Sequence, residues 1–480
     1  MMNFRTRQSG VISLYVLIFS SVSIIILSGF ILWADANIKA VFRDYDQAQA
    51  FMIAESGIEY YRWHLAHAKQ DYKDGTESSG PYTHEFRDKD GDLIGSYSLN
   101  IIPPDTGSTV VTLESTGAIT ANADVSKIIE AKLAIPSFAR YAVVINDFVR
   151  FGEGTDIYGP IHSNLGVRVD GVAHNLVTSA VDEYNDPDHS GKDEFGVHTH
   201  ASPIDPTPPA TVPVRTDVFM AGREFAVAPV DFVGITQDLA TMQSSAESAG
   251  FYRDSSEESG YHVVLKTNDT FDLYKVNKTL KAPNGCIEVL GQHDWDTWSI
   301  ETETLLGNYP LPSNNILFFS DNVWVDGQIE TARVSIGAGI FPENSAHYAH
   351  ITVNNNLLYT NYDGQDILSL IAQGNVGTGL KSADILRIDG ALFAQNGRVG
   401  RYYYRPASGN QSRCGAEAYR DTITLFGMIA SGERYGFAYT DGTGYEYRII
   451  IYDAHLLYGP PPAFPLTADY YTPIFWNEKK

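Results

Sequence analysis

Residues 11–33 read VISLYVLIFSSVSIIILSGFILW, an uncharged run that follows a short head carrying Arg5 and Arg7. As a helix this run covers about 35 Å at ~1.5 Å per residue, enough for a bilayer core of roughly 30 Å. Basic residues precede it and the first acid after it is Asp35. The positive-inside bias therefore predicts a single-pass protein with a cytoplasmic N-terminus and everything after Asp35 outside the cytoplasm. Ala34-Asp35-Ala36 imitates a signal-peptidase site, but a cleavable signal has a shorter apolar core, so Val11 to Trp33 reads as a membrane anchor.

Helical patterning continues past Trp33. Ile38, Val41, Tyr45, Ala48 and Met52 recur at three- and four-residue steps, which predicts an amphipathic stalk helix over 34–68 with an assembly face along that stripe. No proline interrupts Val11 to Leu65, so anchor and stalk can form one helix of about 80 Å. Gly57 is the weak point of the stalk, costing roughly 1 kcal/mol relative to Ala.

The junction Arg7-Gln8-Ser9-Gly10-Val11-Ile12-Ser13-Leu14 resembles the basic leader and glycine of type IV prepilins. The string from Gln47 to Ala50 and on through Ala54-Glu55-Ser56-Gly57-Ile58-Glu59 is similar to the A-x-x-A-E-x-G-I-E pattern of PilX-like minor pilins. The resemblance covers residues 5 to 65. It implies a 1–10 leader cut between Gly10 and Val11, assembly with other pilin-like subunits, and a place in a pilus or on the cell surface. Tyr15 stands at the fifth mature position, where major pilins carry a glutamate that pairs with a neighbour's amino terminus in the membrane, where a lone charge is expensive. That departure suits a minor, tip or initiating subunit.

The net charge of −24 argues against nucleic-acid binding, because phosphate backbones are repelled. With 29 Tyr, 41 Gly and 22 Pro, the remainder reads as a turn-rich β protein. Strands at 97–102, 109–113 and 127–135 predict a small antiparallel sheet over 82–136. From 141 to 460 a different unit recurs: two apolar residues, a small one, a polar one, then Asn or Gly. It appears at Pro160–Gly166, Phe318–Val323, Leu370–Val376, Leu392–Gly397 and Met428–Glu433, with Ile371 and Phe393 22 residues apart. Units that cannot bury an apolar face alone must stack, so the fold class is mainly β with one long N-terminal helix, a pilin-like α+β start followed by a parallel β-helix or solenoid. The alternative is an irregular antiparallel β-sandwich. Residues 176–260 read as an insertion, with a helix over 231–249 presenting Phe232, Ile235, Leu239 and Met242 on one face. Residues 461–480 continue a proline-rich strap expected to cross an open sheet edge. The stretch Ser137–Val144 through Gly159–Asn164 is similar to domains of uncharacterised bacterial envelope proteins, which implies a location and no chemistry.

Cys286 and Cys414 can pair outside the cytoplasm, though their spacing decides nothing. His174, His189, His198 and His200 share a loop with Asp182, Asp186 and Asp188. His198-Thr199-His200 would place two rings on one strand face, a set zinc accepts. Without cysteine or helical spacing, the cluster reads as ordinary exposed polar residues, and neither metal nor cofactor is assigned. No phosphate loop, nucleophile elbow or marked carboxylate pair points to catalysis, so the chain reads as a non-enzyme. Tyr402, Tyr403, Tyr404, Tyr435 and Tyr439 form the candidate surface for a glycan or protein ligand; the alternative is that alternate members pack the coils. The reading is a minor pilin-like subunit; the alternatives are a membrane-tethered glycan-active β-helix enzyme and a static signal-anchored envelope protein.

Overall fold

The computed structural model describes residues 9–104, 108–122, 124–189, 191–232, 235–466 and 470–479, with backbone alone for residues 9, 10 and 235–238. Residues 1–8 of the expected leader lie outside the described residues. The chain divides into two compact units, Met1–Pro104 with Val110–Ala134 and Tyr470–Lys480, and Asp105–Thr109 with Ile135–Asp469.

In the first unit, anchor and stalk are one uninterrupted helix, α1 (Ser9–His67). Its last turns pack on an antiparallel sheet of β1 (Tyr82–Arg87), β2 (Leu93–Ile102), β3 (Val111–Ile119) and β4 (Ser126–Ala134). β3 alternates as a half-buried strand should, burying Val111, Leu113, Ser115, Gly117 and Ile119. The helix buries Ala50, Ile53, Ala54, Ile58, Tyr61 and Leu65. Gly57 belongs to this face: a Cβ there would lie 2.3 Å from Ser115 Oγ and 2.9 Å from Tyr97 Cδ2. A Cβ on Gly117 would lie 2.2 Å from the Ala50 carbonyl oxygen. The glycine that weakens an isolated helix is therefore one of the points where helix and sheet approach too closely for a side chain. The sheet gains a fifth strand, Thr472–Lys479, antiparallel to β4. This corrects the expected 461–480 strap. Pro473 and two adjacent aromatics hide the strand's period in the sequence, and an edge position tolerates that proline.

The second unit is a parallel solenoid, and the antiparallel sandwich is set aside. Down one column the register partners in turn are Leu317, Ile336, Leu370, Leu392, Ile429, Val143, Ile161 and Val177. A second column runs Leu357, Ile388, Leu425, Ile450, Ile157 and Ala173. A third runs Tyr261, Val323, Ile351, Val376 and Val399. These residues are all buried in one continuous core. Ile371 and Phe393 are register partners, as their spacing predicts. Phe393 in turn pairs with Ala430, one residue beyond the Ile429 expected from the repeat. Strands 385–394 and 419–431 each turn a corner at a glycine, Gly390 (φ 144°) and Gly427 (φ 146°), which are register partners. Positive φ and close backbone contact admit no side chain there.

The order of coils differs from the order of the sequence. The chain begins in the middle of the stack at Val143–Ile145 and adds Ile161–Ser163, Val177–Ser179 and Arg223–Glu224 in one direction. It then resumes at the opposite end with Phe251–Arg253, and the later coils build back until strand 419–431 pairs with Val143–Ile145. Nine ladder steps at ~4.8 Å make this column about 43 Å long. The crossing is made by α2 (Ile235–Ala249) and the extended segment before it, which can span roughly 50 Å at ~1.5 and ~3.3 Å per residue. Phe232, Leu239 and Met242 bury against the outer face of the column, with Phe138, Phe318, Phe393 and Phe464. Ile235 has no described side chain. The 176–260 stretch is thus only partly an insertion: it supplies strand 177–179 and strand 223–224 to the column, and Val197–His198 to a side ladder on Val167–Val169. Strands of two and three residues are too short to show a period. The proline-rich tail crosses a face, not an edge: Ser335 Oγ donates to the Pro462 carbonyl and Phe464 packs edge-on to Phe393.

Candidate functional site

The N-terminal half of α1 is long and apolar enough to cross a membrane. Its side chains are exposed, up to 76% at Phe19. Three of its hydroxyls turn inward: Ser20, Ser21 and Ser28 donate to the carbonyls of Val16, Ile18 and Ile24 at 2.7, 2.9 and 2.7 Å. That is the arrangement a helix needs where no water can satisfy polar groups. Charge begins at Asp35, paired with Lys39 at 2.7 Å.

Farther along, α1 has two faces. One is occupied by its own sheet through Ala50, Ile53, Ala54, Gly57, Ile58, Tyr61 and Leu65. The other carries Ile38 (55% exposed), Val41 (66%), Tyr45 (65%) and Met52 (64%), with Ala48 also exposed. At 3.6 residues per turn the two sets centre about 180° apart. Phe42, 64% exposed, widens the free stripe. Burying an apolar face is what stabilises such a helix, and within this chain the stripe has no cover among the described residues.

The tyrosine surface needs correction. Tyr402, Tyr404 and Tyr435 are buried. Tyr404 Oη donates to the Asp296 carbonyl at 2.9 Å, and Tyr402 Oη accepts from Asn375 at 2.7 Å. These rings pack around the Cys286–Cys414 disulfide with Trp295 and Trp298. Tyr403 and Tyr439 remain half-buried, edge-to-face at 5.0 Å, with Tyr403 Oη donating to Asp441 at 2.8 Å. A fully buried Arg401 lies behind them, donating to Ser382 Oγ at 2.8 Å and to the carbonyls of Leu380 at 3.0 Å and Glu417 at 2.7 Å. Burial holds its pKa below the usual arginine value. The aromatic run therefore serves packing more than recognition, since alternate residues must point into a coil.

The histidine cluster also departs from its reading as exposed loop. His198 is fully buried, and Asp186 is 2% exposed. His174 and Asp182 stand outside the group that converges there, while Glu194, not singled out in the sequence, joins it. Elsewhere His262 bridges Glu303 Oε2 at 2.8 Å and Asp326 Oδ2 at 3.3 Å. Burial works against its charge, but the two carboxylates prevail and push its pKa up to about 9.

No family model matches the chain, and no curated protein matches it. Among solved structures, the competence-associated pilin ComZ from Thermus thermophilus is similar at 11% identity over 91% of this chain and 98% of that chain, with a TM-score of 0.30. A likeness that slight carries no argument.

Proposed function

We propose that this chain is a minor pilin-like subunit of a type IV pilus or related secretion fibre. Residues 11–33 hold it in the membrane with the N-terminus cytoplasmic, and the β body serves assembly or surface contact outside. The observation that carries the reading is the division of α1 into a face covered by its own sheet and an opposite apolar stripe of Ile38, Val41, Tyr45, Ala48 and Met52. A stripe that leaves lipid uncovered needs neighbouring helices, and packed stalks supply them. The prepilin-like junction at Gly10 and Val11 supports the same reading, as does a disulfide in the part assigned to the outside. The β body is read as a contact module and not a catalyst, with Tyr403 and Tyr439 as the remaining aromatic pair for a glycan or protein.

Val41→Glu tests the stripe. It places a carboxylate on the assembly face without touching the membrane run, and burying an unpaired charge is costly. Membrane levels should stay normal while co-purification with other pilin-like subunits is lost. Co-purification equal to the parent would favour the static-anchor reading. Gly10→Val should leave the leader attached, read as an unshifted amino terminus by mass spectrometry. Release of reducing ends from a glycan panel by the full-length chain would favour the enzyme reading.

A further inference from the structure

The loop after strand 177–179 folds back on the side of the solenoid and buries an unusual set of ligands. Glu194 lies in a two-residue strand paired with Glu183–Tyr184, and His198 ends the strand laid on Val167–Val169. Asp186 closes the turn between them, its Oδ1 accepting the Asp188 amide at 2.9 Å. His198 Nε2 and Asp186 Oδ2 face each other at 3.5 Å, and His200 Nε2 lies 3.5 Å from Glu194 Oε1. The ligand atoms of Asp186, His198 and His200 all lie within 4.8 Å of one another. The two rings approach at 5.1 Å between centroids.

Three features separate this set from a satisfied polar cluster. His198 Nε2, His200 Nε2 and Glu194 Oε2 are buried with no hydrogen-bond partner among the described residues, an expensive state for three atoms in one place. The ring of His198 is oriented from behind: Nδ1 faces the Phe195 carbonyl at 3.3 Å, which makes Nδ1 the donor and turns Nε2 toward Asp186. A backbone carbonyl fixing the tautomer in this way is the usual support of a metal-bound histidine. Of the guanidiniums nearby, Arg168 alone reaches a proposed ligand, donating to Asp186 Oδ2, which keeps a further lone pair for a metal. Arg168 pairs with Asp170 at 2.9 Å and reaches Asp186 at 3.3 Å, Arg150 pairs with Asp170 at 3.1 Å, and Arg434 pairs with Asp188. Glu194, 1% exposed, has no Lys or Arg pair among the described residues; its basic neighbours are His189 and His200.

We propose that His198 Nε2, His200 Nε2 and Asp186 Oδ2 bind one divalent transition-metal ion that ties the turn at Asp186 to the strand Val197–His198. Two imidazoles and one carboxylate form a donor set suited to Zn²⁺ or Co²⁺ and poor for Ca²⁺ or Mg²⁺, which take oxygen ligands. A tetrahedral ion with bonds of about 2.0–2.1 Å holds its ligands some 3.4 Å apart, close to the 3.5 Å between His198 and Asp186. The ion's role is structural, as its ligands come from the strand and the turn that it joins. A second trio, His189, Glu194 and His200, shares one ligand. It is the weaker candidate because His189 is half-exposed and its Nδ1 is already 2.9 Å from Glu194 Oε1.

The test uses the detergent-solubilised full chain, stripped with a chelator and titrated with Co²⁺ and then Zn²⁺. Tetrahedral Co²⁺ absorption should saturate at one ion per chain, Zn²⁺ should displace it, and the thermal midpoint should rise on binding. His200→Ala and His198→Asn should each weaken binding about 100-fold, with amide exchange of strand 161–163 confirming that the solenoid is folded. His174→Ala should bind as the parent does, and His189→Ala within a few-fold of it. Absence of Co²⁺ absorption in the parent, or full affinity in His200→Ala, would overturn the proposal and leave a hydrogen-bonded histidine–carboxylate cluster. Loss of binding in His189→Ala with retention in His198→Asn would also overturn it, in favour of the other trio.

Discussion

Replacing Gly57 with Ala sets two effects of known sign against each other. In a free helix the change gains roughly 1 kcal/mol of propensity. In α1 the new methyl would stand 2.3 Å from Ser115 Oγ, 2.9 Å from Tyr97 Cδ2 and 3.1 Å from Leu99 Cδ2. These neighbours belong to two adjacent strands, β2 and β3, which are held in register with each other, so the helix must back away. Overpacking of this kind costs about 1–3 kcal/mol, and three contacts place it near the upper end. The net expectation is a loss of about 2 kcal/mol, a thirtyfold shift toward the open form. Ser115 Oγ is itself buried without a hydrogen-bond partner among the described residues, so Ser115→Ala alone should be neutral or slightly stabilising. Added to Gly57→Ala it should recover about 1 kcal/mol, because the shortest contact disappears while that with Tyr97 remains. Amide exchange of β2 and β3 in the detergent-solubilised full chain reads the difference directly. If Gly57→Ala exchanges as slowly as the parent or more slowly, propensity has prevailed, and the helix does not approach the sheet as closely as argued.

Three further outcomes test the solenoid. Phe393→Ala removes a fully buried ring that packs with Phe138, Phe232 and Phe464; it should cost about 3–5 kcal/mol by denaturant unfolding and free α2 for proteolysis. Cys286→Ser with Cys414→Ser opens a bridge across 128 residues and should lower stability by about 2–5 kcal/mol, matched by reduction of the parent with dithiothreitol. His262, raised to about 9 between Glu303 and Asp326, contributes stability that is whole below pH ~6.5 and lost as pH rises through 9, up to about 3 kcal/mol. Thermal midpoints at pH 6.5 and 9.5 should therefore differ more in the parent than in His262→Gln, and an equal difference would remove His262 from the account.

The sequence alone determined the elements whose signal is local and long. A 59-residue helix is written in an uncharged run, a stripe at three- and four-residue steps and the lack of proline, because helical hydrogen bonds close within four residues. The solenoid was legible where coils repeat without interruption, as between Ile371 and Phe393. The face of α2 carrying Leu239 and Met242 was legible for the same reason, although Phe232, expected on that face, lies before the helix begins. Tertiary structure decided whatever depends on partners distant in the chain. Val143 lies between Ile429 and Ile161, and no period in the sequence states that the first coil sits mid-stack. The last eight strand residues join β4, a pairing across more than 300 positions. Gly57 read as a defect because a helix wheel contains no sheet. Tyr402 and Tyr404 are buried because a neighbouring coil supplies partners for their hydroxyls, whereas the histidine cluster is buried with His198 Nε2 and His200 Nε2 left without a partner among the described residues. Exposure is a property of the packed molecule, and a sequence can state only which residues have reason to seek it.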